Sequence, residues 1–241
     1  MSLYVYGIVP GGTTIPDLVG IHGEPETVFG SEGHAALISR VDAPEEIGTP
    51  DALVAHGEVV DRVAAEAPVL PMVFGTVVPD EEALESQVLG GHHEVYDENL
   101  RRIGDAAQFT LRARFSQEDA LAELVAEEPD IASLREAIAG SSEDETRTER
   151  IRLGELIVKG LQRKAAAEAP PIREALVPLA REVVERDPSQ AEDVIELAAL
   201  VERDHQEEFE QAAERLAREA AGRVMFRLLG PQAPYDFTGG A

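Results

Sequence analysis

The sequence contains no cysteine and no tryptophan, and only 5% of its residues are aromatic. Without cysteine the chain can hold no disulfide, no thiolate metal site and no cysteine nucleophile, which leads us to expect an intracellular protein. Positive charge is scarce as well. Lys159 and Lys164 are the only lysines, and 21 Lys and Arg face 47 Asp and Glu for a formal charge of −26. Such a chain repels nucleic acid and anionic lipid rather than attracting them. No apolar run approaches the ~20 residues of a membrane-spanning helix. The opening Met1-Ser2-Leu3-Tyr4 lacks the basic flank and apolar core of a secretion signal. We therefore expect an acidic, soluble, cytoplasmic protein without a nucleic-acid or membrane partner. The preference for arginine over lysine suits a salt-adapted or a GC-rich microbe and does not separate the two.

What is present is enough for a core: 44% of 241 residues are apolar. The pattern of elements predicts an α+β protein of two domains, residues 1–104 and 105–241. In the first, residues 3–9 read as a strand ending in a turn at Pro10-Gly11-Gly12. Residues 27–29 and 35–41 read as two more, joined by a hairpin at 30–33, and an antiparallel sheet is the simplest pairing. Leu53, Val60 and Val63 recur at helical spacing over residues 50–66, with His56 beside that stripe. The most hydrophobic run, residues 69–78, carries Pro71 and Gly75 inside it, which predicts an irregular or edge strand. A helix then opens at Pro79 with acids in its first turn and runs, with an interruption at Gly90-Gly91, to Ile103.

In the second half, residues 109–115 alternate apolar and polar as a strand with one wet face. Helices are expected over 118–127, 131–139 and 145–167, the last stopped by Pro170-Pro171, followed by a further helical stretch to Arg186. Residues 194–201 read as a strand, 204–221 as an amphipathic helix and 224–229 as a short buried strand, a succession matching half of a ferredoxin-like split unit. The helical residues from about 130 to 190 then form an insertion in that domain. The proline-rich 230–237 segment should leave the last strand in a fixed direction and pack Tyr235 and Phe237 onto the protein's own surface.

Candidate chemistry is thin. His92 and His93 are adjacent, so on a helix they point about 100° apart, and no further ligand stands at metal-site spacing. Gly7 to Gly12 matches no nucleotide-binding fingerprint. Ser141 and Ser142 lie in polar sequence without a nucleophile elbow. Carboxylates are too numerous for any pair to be singled out. His56 stands apart because of its position on an apolar stripe, where a histidine is ordinarily a satisfied core residue. The reading from chemistry is a binding or assembly protein without cofactor or metal, with an enzyme on a ferredoxin-like scaffold as the competing class.

Several stretches together resemble the GvpF/GvpL family of gas vesicle proteins. They are Tyr4-Val5-Tyr6-Gly7-Ile8; His56 with Val59 and Val60; Leu70-Pro71-Met72-Val73-Phe74-Gly75-Thr76-Val77; Leu153-Gly154-Glu155; Ala199-Leu200-Val201 leading to Phe209; and Leu229-Gly230-Pro231-Gln232-Ala233-Pro234-Tyr235-Asp236-Phe237. The resemblance implies a non-enzymatic accessory protein of gas vesicle assembly. Its two α+β domains would include a second of modified ferredoxin-like fold, and its partners would be the hydrophobic shell protein GvpA and other accessory proteins. A minor structural role in the vesicle is the alternative within that setting. Two positions depart from the family pattern: Val73 stands where an arginine is common, and Gln108 where a glutamate usually begins the strand. The candidate partner-binding residues are Met72, Val73, Phe74, Tyr235 and Phe237.

Overall fold

The computed structural model describes residues 2–15, 17–21, 23, 25–29, 33–42, 47–142 and 144–238. The chain divides into two compact units, one of residues 1–109, 200–204 and 229–241 and one of residues 110–199 and 205–228.

The first unit is built on strand β1 (Ser2–Pro10), in which all seven interior residues are buried. It pairs antiparallel with β3 (His34–Val41), and β3 pairs antiparallel with β2 (Glu26–Phe29). Most of the expected connection at 30–33 falls outside the described residues. On its other side β1 receives two short strands, β4 (Leu70–Pro71) and β5 (Val77–Val78). Both faces of this sheet are covered, which is why β1 reads as a nearly continuous apolar run. Leu3, Val5 and Ile8 belong to one core cluster, Tyr4, Tyr6 and Val9 to another, and the change of parity is absorbed by a register shift between Val5 and Gly7.

The second of those clusters is closed by α1 (Pro50–Ala64), which starts with Pro50 in its first turn and the Thr49 hydroxyl accepting from the Ala52 amide. Its inward stripe is Ala52, His56, Val59, Val60 and Val63, whereas Leu53 is 53% exposed, so the expected stripe is rotated by one residue at its N-terminal end. The first cluster is closed by the segment after Pro79. Asp80 caps α2 (Glu81–Leu84), a single π-type turn over Glu85–Leu89 follows, and Gly90 and Gly91 separate it from α3 (His93–Ile103). On α3, Tyr96, Leu100 and Ile103 face inward and Val95 is exposed.

The second unit carries most of a four-stranded sheet of order β7-β8-β6-β9, formed by β6 (Ala106–Phe115), β7 (Glu182–Arg186), β8 (Asp193–Glu202) and β9 (Val224–Gln232). Its helices are α4 (Gln117–Glu127), α5 (Pro129–Ile138), α6 (Arg147–Leu176) and α7 (Gln206–Glu219). Three expectations need correction. The helix predicted to stop at Pro170-Pro171 runs through both, because Ala169, Ile172 and Leu176 are buried on either side and their packing outweighs the lost backbone bonds. The stretch leading to Arg186 is not helical; Pro178 sits in a short 3₁₀ turn and β7 follows. Strand β9 is longer than predicted and mostly not buried, since it lies at the sheet's edge with Met225 60% exposed.

One close approach has a direct stability consequence. A Cβ on Gly7 would stand 2.6 Å from the Leu70 carbonyl oxygen and 2.9 Å from Val69 Cγ2, whereas one on Gly57, inside α1, would meet nothing within 4 Å. Chemical denaturation should show Gly7→Ala losing about 1–3 kcal/mol through overpacking, and Gly57→Ala gaining about 0.5–1 kcal/mol from helix propensity. Equal effects of the two would contradict the close β1–β4 pairing.

Candidate partner-binding site

The apolar block at 69–78 is one strand interrupted by a turn. Between the pairs Gly7↔Pro71 and Tyr4↔Val77, β1 advances three residues while the block advances six, so the difference is looped out. Met72 is still held, its amide donating to the Tyr6 carbonyl at 2.8 Å, and the sheet resumes where the Val5 amide reaches the Thr76 carbonyl at 2.9 Å. Within the turn both the amide and the hydroxyl of Thr76 donate to the Val73 carbonyl, at 3.2 and 2.7 Å. Gly75 has φ +93°, a conformation that glycine adopts without strain, so Val73-Phe74-Gly75-Thr76 is a fixed turn rather than a slack loop. Its effect is to turn Val73 outward, 66% exposed.

Beneath the turn lies His56. Tyr4 Oη accepts from the Gly75 amide at 3.2 Å and lies 2.8 Å from His56 Nδ1, while His56 Nε2 lies 2.8 Å from Tyr235 Oη. The two tyrosine hydroxyls therefore engage both ring nitrogens, the one bearing the imidazole hydrogen as donor and the other as acceptor. Phe74 packs on the same ring at 5.7 Å between centroids, and Tyr6 stacks on it at 5.7 Å. Burial pushes the His56 imidazole down to about 4 and the Tyr4 phenol up to about 12, and it raises the Tyr235 phenol as well. All three groups are therefore neutral near pH 7. The arrangement is a neutral hydrogen-bonded chain that ties the 73–76 turn, β1, α1 and the C-terminal segment together.

The C-terminal segment is anchored at further points. The Ala233 amide donates to Asp61 Oδ1 at 2.7 Å, and burial raises the Asp61 carboxyl. Gln108 donates from Nε2 to Asp236 Oδ2 at 2.6 Å and accepts from the Asp236 amide at 3.1 Å. A glutamate at 108 would set two carboxylates against each other here, so the departure noted in the sequence has a local reason. Ala233 and Phe237 are buried, and Tyr235 keeps 43% of its surface exposed.

Of the five candidate residues, Phe74 and Tyr235 meet across the His56 ring, and Val73 projects beside Phe74. Met72 and Phe237 are buried core residues, so the accessible face consists of Val73, the half-buried Phe74 and Tyr235. Sequence reasoning singled out His56 but missed Tyr4 and Asp61 as its fellow anchors. The signal for Tyr4 was a tyrosine inside a strand buried on both faces, where its hydroxyl needs a partner. Among the described residues no group of three His, Asp or Glu side chains could hold a metal ion.

The depressed pKa gives His56 a pH signature. The unfolded chain binds a proton near pH 6.5 that the folded one takes up only near 4, so native stability falls as pH drops through that window. Carboxylates titrate there too, so the comparison is with His56→Gln. The stability gap between wild type and variant should be full above about pH 6.5 and narrow by up to about 3 kcal/mol towards pH 4. Urea melts across pH test this, and a gap constant with pH would mean that the imidazole is not held neutral. Tyr235→Phe removes one hydroxyl while keeping the ring, and should cost about 1 kcal/mol in the same melts.

Comparison with known proteins then identifies the relatives. The family described as gas vesicle synthesis protein GvpL/GvpF matches residues 2–239. The chain is 32% identical over 245 residues to gas vesicle protein F of Streptomyces sp. (strain CB03234), covering 99% of this chain and 100% of the relative. It is 25% identical over 243 residues to gas vesicle protein F of Microcystis aeruginosa, covering 99% and 98%. The crystal structure of GvpF from Anabaena sp. PCC7120 superposes with a TM-score of 0.81 at 23% identity, over 100% of this chain and 99% of that one. That of Microcystis aeruginosa GvpF gives 0.80 at 24%, over 98% of each. Those two structures share the mixed α/β fold with its antiparallel pairing. This chain belongs to the GvpL/GvpF family of gas vesicle synthesis proteins.

Proposed function

We propose that this protein is a non-enzymatic accessory factor of gas vesicle assembly, and that it binds the shell protein GvpA through the turn at residues 73–76. The observation that carries the reading is an exposed valine, Val73, at the tip of a turn fixed from below by Tyr4 and flanked by Phe74 and Tyr235. An apolar shell subunit needs a soluble partner during assembly, and a rigid apolar knob on a chain of charge −26 meets both halves of that need. The knob supplies contact at low ordering cost, and the net charge keeps the complexes dispersed. Other accessory proteins are further partners, and the site of action is the cytoplasm at the growing vesicle.

Non-enzymatic status is supported by the occupancy of His56, whose two ring nitrogens are both engaged by tyrosine hydroxyls, leaving neither free for a substrate. The sheet order β7-β8-β6-β9 supports reading the second domain, which begins near residue 105, as ferredoxin-like, with residues 229–241 grouped with the first.

Capture of GvpA by the immobilised protein tests the proposal. Val73→Asp changes an exposed position, so it should leave the melting temperature unchanged and weaken capture about tenfold or more. Undiminished capture by the folded variant would remove the turn from the interface. Met72→Asp is unsuitable, because it would bury a carboxylate and report on folding.

A further inference from the structure

The charge on this chain is not evenly spread. Residues 147–164, in the N-terminal part of α6, hold six of its 21 basic side chains, including both lysines, against two acidic ones, Glu149 and Glu155. Arg163 and Lys164 are paired with acids of α4 and its C-terminal end. Arg147, Arg152 and Lys159 make no ion pair among the described residues, although acids outnumber bases more than twofold in the chain. On this helix Arg147, Ile151, Gly154 and Val158 follow one another at spacings of four, three and four, which places them on one line. Ile151 is 57% and Val158 39% exposed. The opposite side is the one that packs: Leu153 and Leu156 are half-buried and Gly160 lies against Leu124 of α4, while the exposed line itself ends at Leu161, which is buried.

Gly154 is the third element. It sits inside a 30-residue helix, where glycine is unfavourable relative to alanine, yet a Cβ there would meet nothing within 4 Å. Among the described residues nothing calls for its small size. A glycine between two exposed branched apolar residues on a helix does permit another backbone to come close.

We propose that this face of α6, over residues 147–159, is a second docking surface, and that its occupant is an acidic amphipathic helix of a partner protein. Ile151 and Val158 supply the apolar seam, Gly154 the point of closest approach, Arg147 a cation at the N-terminal end of the seam, and Arg152 and Lys159, with Glu155 between them, a rim of net positive charge that complements acidic flanks. A symmetric pair of this chain's own helices is disfavoured, because an isologous contact would set basic rim against basic rim. A membrane is disfavoured because the face carries only two large exposed apolar residues, too few to enter a bilayer interface.

The test uses the full chain and a labelled synthetic peptide with leucines at i, i+3 and i+7 and glutamates elsewhere, followed by fluorescence anisotropy. Wild type should bind it, and raising salt from about 50 to about 500 mM should weaken binding. Ile151→Glu and, separately, Gly154→Leu should each lower affinity at least about tenfold without lowering the melting temperature, which Gly154→Leu should raise through helix propensity. A scrambled peptide of the same composition should not bind. The proposal is overturned if the scrambled peptide binds equally well, or if neither substitution matters. It is also overturned if the chain ignores the peptide but sediments with phosphatidylglycerol-containing vesicles, or if size-exclusion shows a dimer that Ile151→Glu dissolves.

Discussion

The burial of one neutral histidine between two tyrosine hydroxyls is the constraint on which the first unit depends. His56 sits on α1, Tyr4 on β1 and Tyr235 on the C-terminal segment, and the Tyr4 oxygen also receives the Gly75 amide. Remove the imidazole and two phenols lose a partner, one of them, Tyr4, inside the core, where an unsatisfied polar group costs about 1–3 kcal/mol. The same chain of bonds holds the 73–76 turn in place, so the stability of the fold and the presentation of Val73 have a common cause.

Acidity governs the rest of the surface. With carboxylates in such excess, basic side chains are mostly drawn into pairs, as where Arg40 bridges Glu26 and Glu81 or Arg173 meets Glu185. Exposed pairs of this kind contribute little to stability. The buried Asp193 is different. Burial alone would raise its pKa, but Arg114, the Gln190 amide, Ser189 and nearby Arg112 together hold the carboxyl well below the usual range, fixing the entry to β8. Against that background a helix face with cations unpaired among the described residues stands out as surface kept for something else.

Much of this was legible in the sequence, and the misses have physical reasons. The helix openings near Pro50 and Pro79, the break at Gly90-Gly91 and the alternation in β6 follow from local rules, and the structure keeps them. Pro170 and Pro171 misled because a local stop signal was overridden by burial on both sides, which no short window contains. The strand β7 has two adjacent valines among charged residues, a pattern with neither period, so the helical context around it prevailed. His56 was visible on its stripe, but its partners lie 52 and 179 residues away in sequence, and only the assembled fold brings them to it. The tail's aromatics were expected to pack back on the protein, and they do, yet nothing local announced that Asp61 and Gln108 would be the groups receiving them.

Amide hydrogen exchange, with and without GvpA, tests the central claim most directly. If the turn is held from below, the Gly75 and Ala233 amides are already protected in the free protein, and adding GvpA slows exchange further over residues 73–76. Rapid exchange of both amides in the free protein, or GvpA-dependent protection that leaves the turn untouched, would contradict the account.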